Sequence, residues 1–383
     1  MSGLRLALTL LLAITTAHAQ WEILSSGSKA DLRGIGNVGK GIVWASGSEG
    51  TVLRTTDDGG HWQRCATPSG AEHLDFRGIQ AFDANTAIVM STGKGPLSRL
   101  YKTTDACQTW ELIAKNPDKD GFWDAVQREG AFWGDDDPDS DERAVVLGDS
   151  VGGRQRVWEW KDGWGDRELE PMDMTEFKAE VQEASFAASN SVLQVVKTPQ
   201  IDKTWKYRLR WVSGTAQEAY MWIVRAERTD TCEPCIMETK RVKMPLANDS
   251  PTVGTFSFGF STDLAGVAVG GDYMKPDIYT RTAAYTSDAG YLWKLSDTPP
   301  HGYRSAVAHD AATKTWITGG PNGTDISTDD GRNWRALKPS PTDAADADQH
   351  WNALSLPFVV GPHDRIGILH PDALKPAPQG AKP

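Results

Sequence analysis

The chain has 383 residues, a formal net charge of −11, 16 Trp and four Cys. An acidic balance without clustered cations argues against nucleic acid and anionic membrane as partners. No apolar run reaches the roughly 18 residues that a membrane-spanning helix needs, so direct membrane insertion is not expected.

In chain order, the first predicted element is a leader over residues 1–19. Arg5 supplies the positive start, Leu6 to Ile14 the apolar stretch, and Ala17-His18-Ala19 a small-x-small cleavage site before Gln20. An exported protein, periplasmic or secreted, is therefore expected. One folded unit is expected over 20–370, followed by a disordered Pro-rich tail over 371–383.

Within that unit one phrase recurs four times. It reads Thr55-x-Asp57-x-Gly59-x-His61-Trp62 and Thr103-x-Asp105-x-Cys107-x-Thr109-Trp110, then Thr286-x-Asp288-x-Gly290-x-x-Trp293 and Ser327-x-Asp329-x-Gly331-x-Asn333-Trp334. The spacing is that of an Asp-box, a tight turn between the two outer strands of a β-propeller blade. Gly takes positive φ freely, Asp accepts hydrogen bonds from turn amides, and Trp caps the apolar layer between blades. A structural role is expected for Asp57, Trp62, Asp105, Trp110, Asp288, Trp293, Asp329 and Trp334. Four carboxylates in turns spread around a ring cannot act together as catalysts.

A second phrase, apolar-polar-small-apolar, precedes the boxes. It appears as Leu32-Arg33-Gly34-Ile35, Phe76-Arg77-Gly78-Ile79, Trp123-Asp124-Ala125-Val126, Tyr303-Arg304-Ser305-Ala306 and Trp351-Asn352-Ala353-Leu354, with looser copies near Glu183 and Phe256. Steps of roughly 40 to 50 residues leave room for three eroded units between the second and third boxes. The count is seven, and the fold class is an all-β, seven-bladed β-propeller. Trp21-Glu22-Ile23-Leu24 resembles the strand after a box, Trp110-Glu111-Leu112-Ile113. The N-terminal strand is thus expected to close the last blade.

The polar position of that phrase forms a slot at the start of each inner strand: Arg33, Arg77, Asp124, Ser257, Arg304 and Asn352. Arg33, Arg77 and Arg304 can converge on one rim, with Asp149, Asp272, Tyr273 and Lys275 on loops nearby. Arg makes two-pronged contacts to a carboxylate, so these seven residues are the candidate binding set for a protein or peptide partner. The bland alternative is that the arginines pair with neighbouring acids.

Cys232-Glu233-Pro234-Cys235 is read as a local disulfide in a hairpin, with redox work as the alternative. Cys65 and Cys107 either pair or stay free. The acidic run at 135–142 is read as a solvated insertion. No metal site or cofactor is expected: the eight His show no ligand spacing, and no strand–GxGxxG–helix unit appears.

With these phrases in place, the chain resembles the bacterial exported Asp-box propellers related to the photosystem II stability and assembly factors, over nearly all of its length. The most specific stretches are Ala45-Ser46-Gly47 with Gly50-Thr51-Val52-Leu53-Arg54-Thr55, Leu74-Asp75-Phe76-Arg77 with Ala81-Phe82-Asp83-Ala84, Ala184-Ser185-Phe186-Ala187-Ala188-Ser189, Val269-Gly270-Gly271-Asp272-Tyr273 with Lys275-Pro276-Asp277, and Gly302-Tyr303-Arg304-Ser305-Ala306-Val307. The resemblance implies seven blades and a non-catalytic assembly role. Some members carry the label oxidoreductase, for which the residues give no chemical basis.

A monomeric, non-catalytic scaffold is therefore the reading. The alternatives are a sialidase-like glycoside hydrolase, which would use the three arginines for a substrate carboxylate, and a redox protein using Cys232 and Cys235. A sialidase also needs a Tyr–Glu pair, which the sequence does not supply.

Overall fold

A computed structural model describes residues 19–128, 142–163, 166–172, 178–179, 183–199, 205–229 and 232–374. The expected leader and most of the acidic stretch at 135–142 lie outside these residues.

The chain forms seven antiparallel sheets of four strands each. Blades one to six are built in strict chain order, from inner strand to outer strand. The inner strands are Leu32–Gly39, Asp75–Ala81, Trp123–Arg128, Leu193–Pro199, Val253–Phe260 and Ala306–Asp310. The inner strand of blade seven, Ala353–Ser355, packs beside that of blade one, so the ring is closed.

Closure comes from the N-terminal strand, as the sequence predicts. Trp21–Ser25 pairs antiparallel with Arg365–Leu369 as the outer strand of blade seven. The buried Trp21 indole stacks on Trp351 at 5.7 Å, and the Asp343 carboxylate accepts the N–H groups of Gln20 and Trp21 at 3.1 and 3.3 Å. A propeller tied in this way has no long unpaired edge between its first and last blades. The fold reaches four residues past the expected boundary: Pro371–Leu374 forms a 3₁₀ turn with Leu374 buried among Trp21 and Trp351.

The four box turns share one hydrogen-bond set. In blade one the Thr55 hydroxyl donates to Asp57 at 2.8 Å and accepts the Gly59 N–H at 3.1 Å, while Asp57 accepts the His61 N–H at 2.9 Å. The same three bonds recur around Asp105, Asp288 and Asp329. The Asp57 carboxyl is held down at about 2, chiefly by the His61 side chain, and Asp105 at about 2, chiefly by Thr109. These are anionic turn locks rather than proton donors.

The fifth box residue also touches the preceding blade. A Cβ on Gly59 would meet Leu24 and Phe358 of blade seven at 2.9 and 3.2 Å, and one on Gly331 would meet Val267 of blade five at 2.5 Å. The box Trp residues lie in those same seams, Trp62 beside Val360 and Ile366, Trp334 beside Val267 and Val269. Glycine is needed there for space as well as for its positive φ of 88° and 78°.

Blade two departs from this, carrying Cys107 at the fifth position. Cys107 forms a disulfide with Cys65, which follows the outer strand of blade one. The backbone of Cys232 and Cys235 lies in the outer strand of blade four, Cys232–Met244. Their side chains lie outside the described residues.

A candidate binding face at the start of the inner strands

Four inner strands begin at a β-bulge. The register jumps between Leu32 and Gly34, Phe76 and Gly78, Trp123 and Ala125, and Thr255 and Ser257. A bulge leaves one residue unpaired and re-aims its side chain. The re-aimed residues are Arg33, Arg77, Asp124 and Phe256. The slot expected from the sequence therefore exists, but in blade five it holds Phe256. Ser257, one position on, turns into the fold, where its hydroxyl oxygen accepts the Val307 N–H at 2.9 Å.

Arg33 and Arg77 meet at a shared carboxylate. Asp75 Oδ2 lies 2.7 Å from Arg77 Nε and 3.8 Å from Arg33 Nε, with all three side chains about 30% exposed. Arg77 also donates from Nη1 to the Ala187 carbonyl at 3.0 Å. Among the described residues the Arg33 guanidinium makes no hydrogen bond.

Arg304 does not join them. It is fully buried and forked onto the Asp325 carboxylate, with further bonds to Asn322 and the Tyr303 carbonyl at 2.6 and 2.7 Å and to His301 Nδ1 at 2.9 Å. The expected third arginine of the rim is thus a satisfied core cation. Asp272 is buried as well, its carboxylate accepting the Met274 N–H at 3.0 Å to close a turn. Tyr273 and Lys275 are exposed on the loop that follows.

Beneath Arg77 lies a pair of acids. Asp124 is wholly buried, and burial, reinforced by the nearby Asp149, drives its carboxyl well above the usual range against the pull of Arg77. Burial raises Asp149 to about 6, opposed by the Ser185 N–H that it accepts at 3.1 Å. Burial thus favours the protonated form of Asp124, and Asp149 gains its charge near pH 6. Asp149, expected on the rim, braces the chain behind it.

That chain is the approach to blade four, whose inner strand starts at Leu193 and not near Glu183, where the sequence phrase has its loose copy. Asn190 accepts the Val126 N–H at 2.8 Å, donates to the Val126 carbonyl at 2.9 Å, and reaches the Ile79 carbonyl at 3.5 Å. Ser189 donates to the Ser305 carbonyl at 3.0 Å, and Ser191 to the Ser257 hydroxyl at 2.7 Å. Three consecutive residues bonded to blades two, three, five and six can only lie across the propeller axis. They form a plug.

The plug separates two concavities. On the side where the inner strands end, a cavity of about 510 Å³ is floored by Ser189, Asn190 and Ser191 and walled by Asn37, Gln80, Gln127 and Arg128. On the other side, Phe186 stacks on Phe256 at 3.9 Å, and Phe256 meets Tyr303 and Tyr273 edge-on at 4.7 and 6.1 Å. The face at the strand starts is thus cationic over blades one and two, while over blades four to six the buried Phe256 and Tyr303 support a half-buried Phe186 and an exposed Tyr273. The box turns lie at the opposite end, where Asp58 N–H binds the Gly41 carbonyl in the loop after the first inner strand.

Among the described residues no group of three or more His, Cys, Asp or Glu is placed to hold a metal ion, and no helix is long and apolar enough to cross a membrane.

No protein-family model matches the chain, and no curated protein matches its sequence. Solved structures do match its fold. One described as YCF48 bound to D1 peptide aligns with a TM-score of 0.53 at 14% identity, covering 92% of this chain and 97% of that one. The WD40 β-propeller domain of Doa1 aligns with a TM-score of 0.51 at 13% identity, covering 93% and 99%. YCF48 from Cyanidioschyzon merolae aligns with a TM-score of 0.40 at 13% identity, covering 92% and 100%.

Proposed function

We propose that this chain is an exported, monomeric, non-catalytic propeller that binds a protein or peptide partner on the face at the starts of its inner strands. The observation that carries the reading is the sharing of Asp75 between Arg33 and Arg77. Asp75 is bonded to Arg77 and stands 3.8 Å from Arg33, so the donors of Arg33 are left uncommitted at the channel mouth. An incoming carboxylate completes the set with charge-assisted hydrogen bonds. The aromatic half of the same face supplies apolar contact, and the propeller solved with a D1 peptide offers a precedent for peptide binding on this fold. The Cys65–Cys107 disulfide fits export to an oxidising compartment. An assembly-factor-like role follows from the sequence resemblance and this face together.

The test uses arrayed peptides ending in a free carboxylate, in an amide, or in an amide preceded by Asp. The wild type retains carboxylate-bearing peptides, main-chain or side-chain, and Arg33→Glu loses them. Equal retention of all three classes, or unchanged retention by Arg33→Glu, overturns the reading.

A glycoside-processing role is the second reading, favoured by one observation: burial raises the Asp149 carboxyl to about 6, towards the range a general acid uses. Against it, Asp124 is wholly enclosed, so a sugar cannot reach the second carboxyl of the pair. Hydrolysis of a fluorogenic sialoside by the wild type and not by Asp149→Asn would favour it.

A further inference from the structure

A second concavity opens on the same face, between blades four and five. It has a volume of about 270 Å³ and is lined chiefly by Ala184, Phe186, Ala216, Pro251 and Val253, with the turn at Gly214 and Thr215 as one wall. No ionised side chain lines it.

Its shape is set by close approaches that leave little freedom. A Cβ on Gly254 would sit 2.5 Å from the Phe186 ring, so that ring lies flat on backbone on one side of the pocket. A Cβ on Gly214 would sit 2.4 Å from the Asn248 amide, which fixes the opposite wall. The Phe186 ring is also held by its stack on Phe256. The pocket is therefore formed before any ligand arrives, which lowers the entropic cost of filling it.

One short stretch of chain ties this pocket to the arginines. Ser185 is fixed by the Asp149 carboxylate and by its own bond to the Val212 carbonyl at 2.8 Å. Phe186 forms the pocket wall, and the Ala187 carbonyl is the group that Arg77 holds. Consecutive residues thus fix cation and pocket relative to one another. An extended peptide advances about 3.3 Å per residue and presents alternate side chains to one face. Because Arg77 is bonded to the residue next to Phe186, a carboxylate held there and a side chain in the pocket are bridged by a short extended segment, on the order of two or three residues.

Beyond the pocket the surface stays apolar. Tyr273 donates its N–H to the Thr252 carbonyl next to Pro251, and its loop exposes Tyr273, Met274, Ile278 and Tyr279. Four large apolar side chains on one loop at the pocket edge form a patch that a partner can cover.

We infer that the pocket between blades four and five selects an apolar side chain two or three residues before the free C-terminal carboxylate of an extended partner peptide. The inference rests on the carboxylate-binding reading above. It adds direction and sequence preference: the chain end lies on blades one and two, an apolar anchor fills the pocket, and the preceding residues cross Tyr273 and Met274.

The probe is a labelled Gly/Ser octapeptide with a free carboxylate, carrying a single Leu moved through its last six positions, with the all-Gly/Ser peptide as reference. Full burial of a Leu side chain is worth roughly tenfold to a hundredfold in affinity. The expected result is a gain of at least about tenfold at one position, the second or third before the end. Ala216 is exposed in its turn, so Ala216→Trp fills the pocket mouth without touching the core. This variant is expected to bind the Leu peptide no better than the reference. A flat Leu scan, or a Leu preference unchanged by Ala216→Trp, overturns the pocket. If amidation still abolishes binding in that case, the carboxylate reading stands without it. A Leu preference indifferent to amidation and to Arg33→Glu overturns both.

Discussion

Cys107 is bonded to Cys65 at the one box position that, in blades one and six, packs against the preceding blade as glycine. The Cys107 backbone keeps the left-handed conformation of those glycines, with φ of 63°. Blade two thus converts a packing contact into a covalent one, in the same direction around the ring. The closed loop spans a sequence separation of 42, for which chain entropy gives about 4 kcal/mol of stabilisation. Urea unfolding of the oxidised protein, compared with Cys65→Ala/Cys107→Ala, should show a loss of that order. Dithiothreitol should lower the wild-type midpoint by more than that of the double variant, which keeps Cys232 and Cys235. A wild type insensitive to reductant would remove the bridge from the stability of the seam.

Asn190 is the centre of the axial plug, and two properties of asparagine are used at once. Its amide satisfies both backbone groups of Val126, and its own backbone sits at φ of 61°, where Asn is tolerated better than most residues. Asn190→Ala leaves a buried N–H and a buried carbonyl without these partners and adds backbone strain, a loss of about 3 kcal/mol. Asn190→Gly loses the same bonds without the strain, so it should be less damaging than Ala by up to about 1 kcal/mol. Chemical denaturation of the three proteins gives both differences. Equal stability of wild type and Asn190→Ala would mean that the plug is not held by this side chain.

The blade count and the closing strand were legible because their signals are local. The box is a single turn whose bonds join residues four apart, and the inner-strand phrase survives in blade three, where no box is recognisable. The binding face was legible only in part. Tyr303-Arg304-Ser305-Ala306 looks like Leu32-Arg33-Gly34-Ile35, yet one arginine is core and the other surface. The difference lies in Asp325, on another strand, which no local phrase reveals. In blade five the sequence phrase favoured Ser257 over Phe256. A bulge separates the two faces by one residue, and that step sends the neighbouring side chain the other way. The plug carries no periodicity: the loose phrase near Glu183 suggests an inner strand there, whereas that strand starts at Leu193, and the partners of Ser189, Asn190 and Ser191 lie up to 116 residues away. The Cys65–Cys107 pairing was open because it depends on which blade a box turn packs against.

Asp149 gives the fold a measurable pH dependence. Its carboxyl titrates at about 6 in the folded protein against a usual value of 3.8. The folded state therefore keeps a proton that the unfolded chain has already released between those values. Stability is then highest below about pH 4 for this group and falls as pH rises to about 6, by about 3 kcal/mol in total. Asp124 acts in the same direction. Carboxyls held low, such as Asp329 and Asp343, act in the opposite sense and below this window. Asp149→Asn keeps an acceptor for the Ser185 N–H and removes the titration. Urea midpoints at pH 4, 5, 6 and 7 should fall less steeply for the variant than for the wild type. Parallel profiles would place the titration elsewhere.

Arg304 and Arg33 occupy the same place in their phrases, and their replacement should separate folding from binding. Arg304→Ala leaves the Asp325 carboxylate, only 2% exposed, with the His301 ring nitrogen as its remaining side-chain partner. Removing one partner of a buried ion pair costs about 3–5 kcal/mol, because the other charge stays behind without compensation. Arg33 is about a third exposed and 3.8 Å from an acid already bonded to Arg77, so Arg33→Ala should cost under about 1 kcal/mol. Denaturation midpoints should therefore drop sharply for Arg304→Ala and little for Arg33→Ala, while retention of carboxylate peptides by folded protein shows the reverse order. A joint replacement of all the arginines would confound the two effects. If Arg304→Ala proved as stable as Arg33→Ala, the Arg304–Asp325 pair would not be the buried, closed unit described above, and Arg304 would return to the list of groups open to a partner.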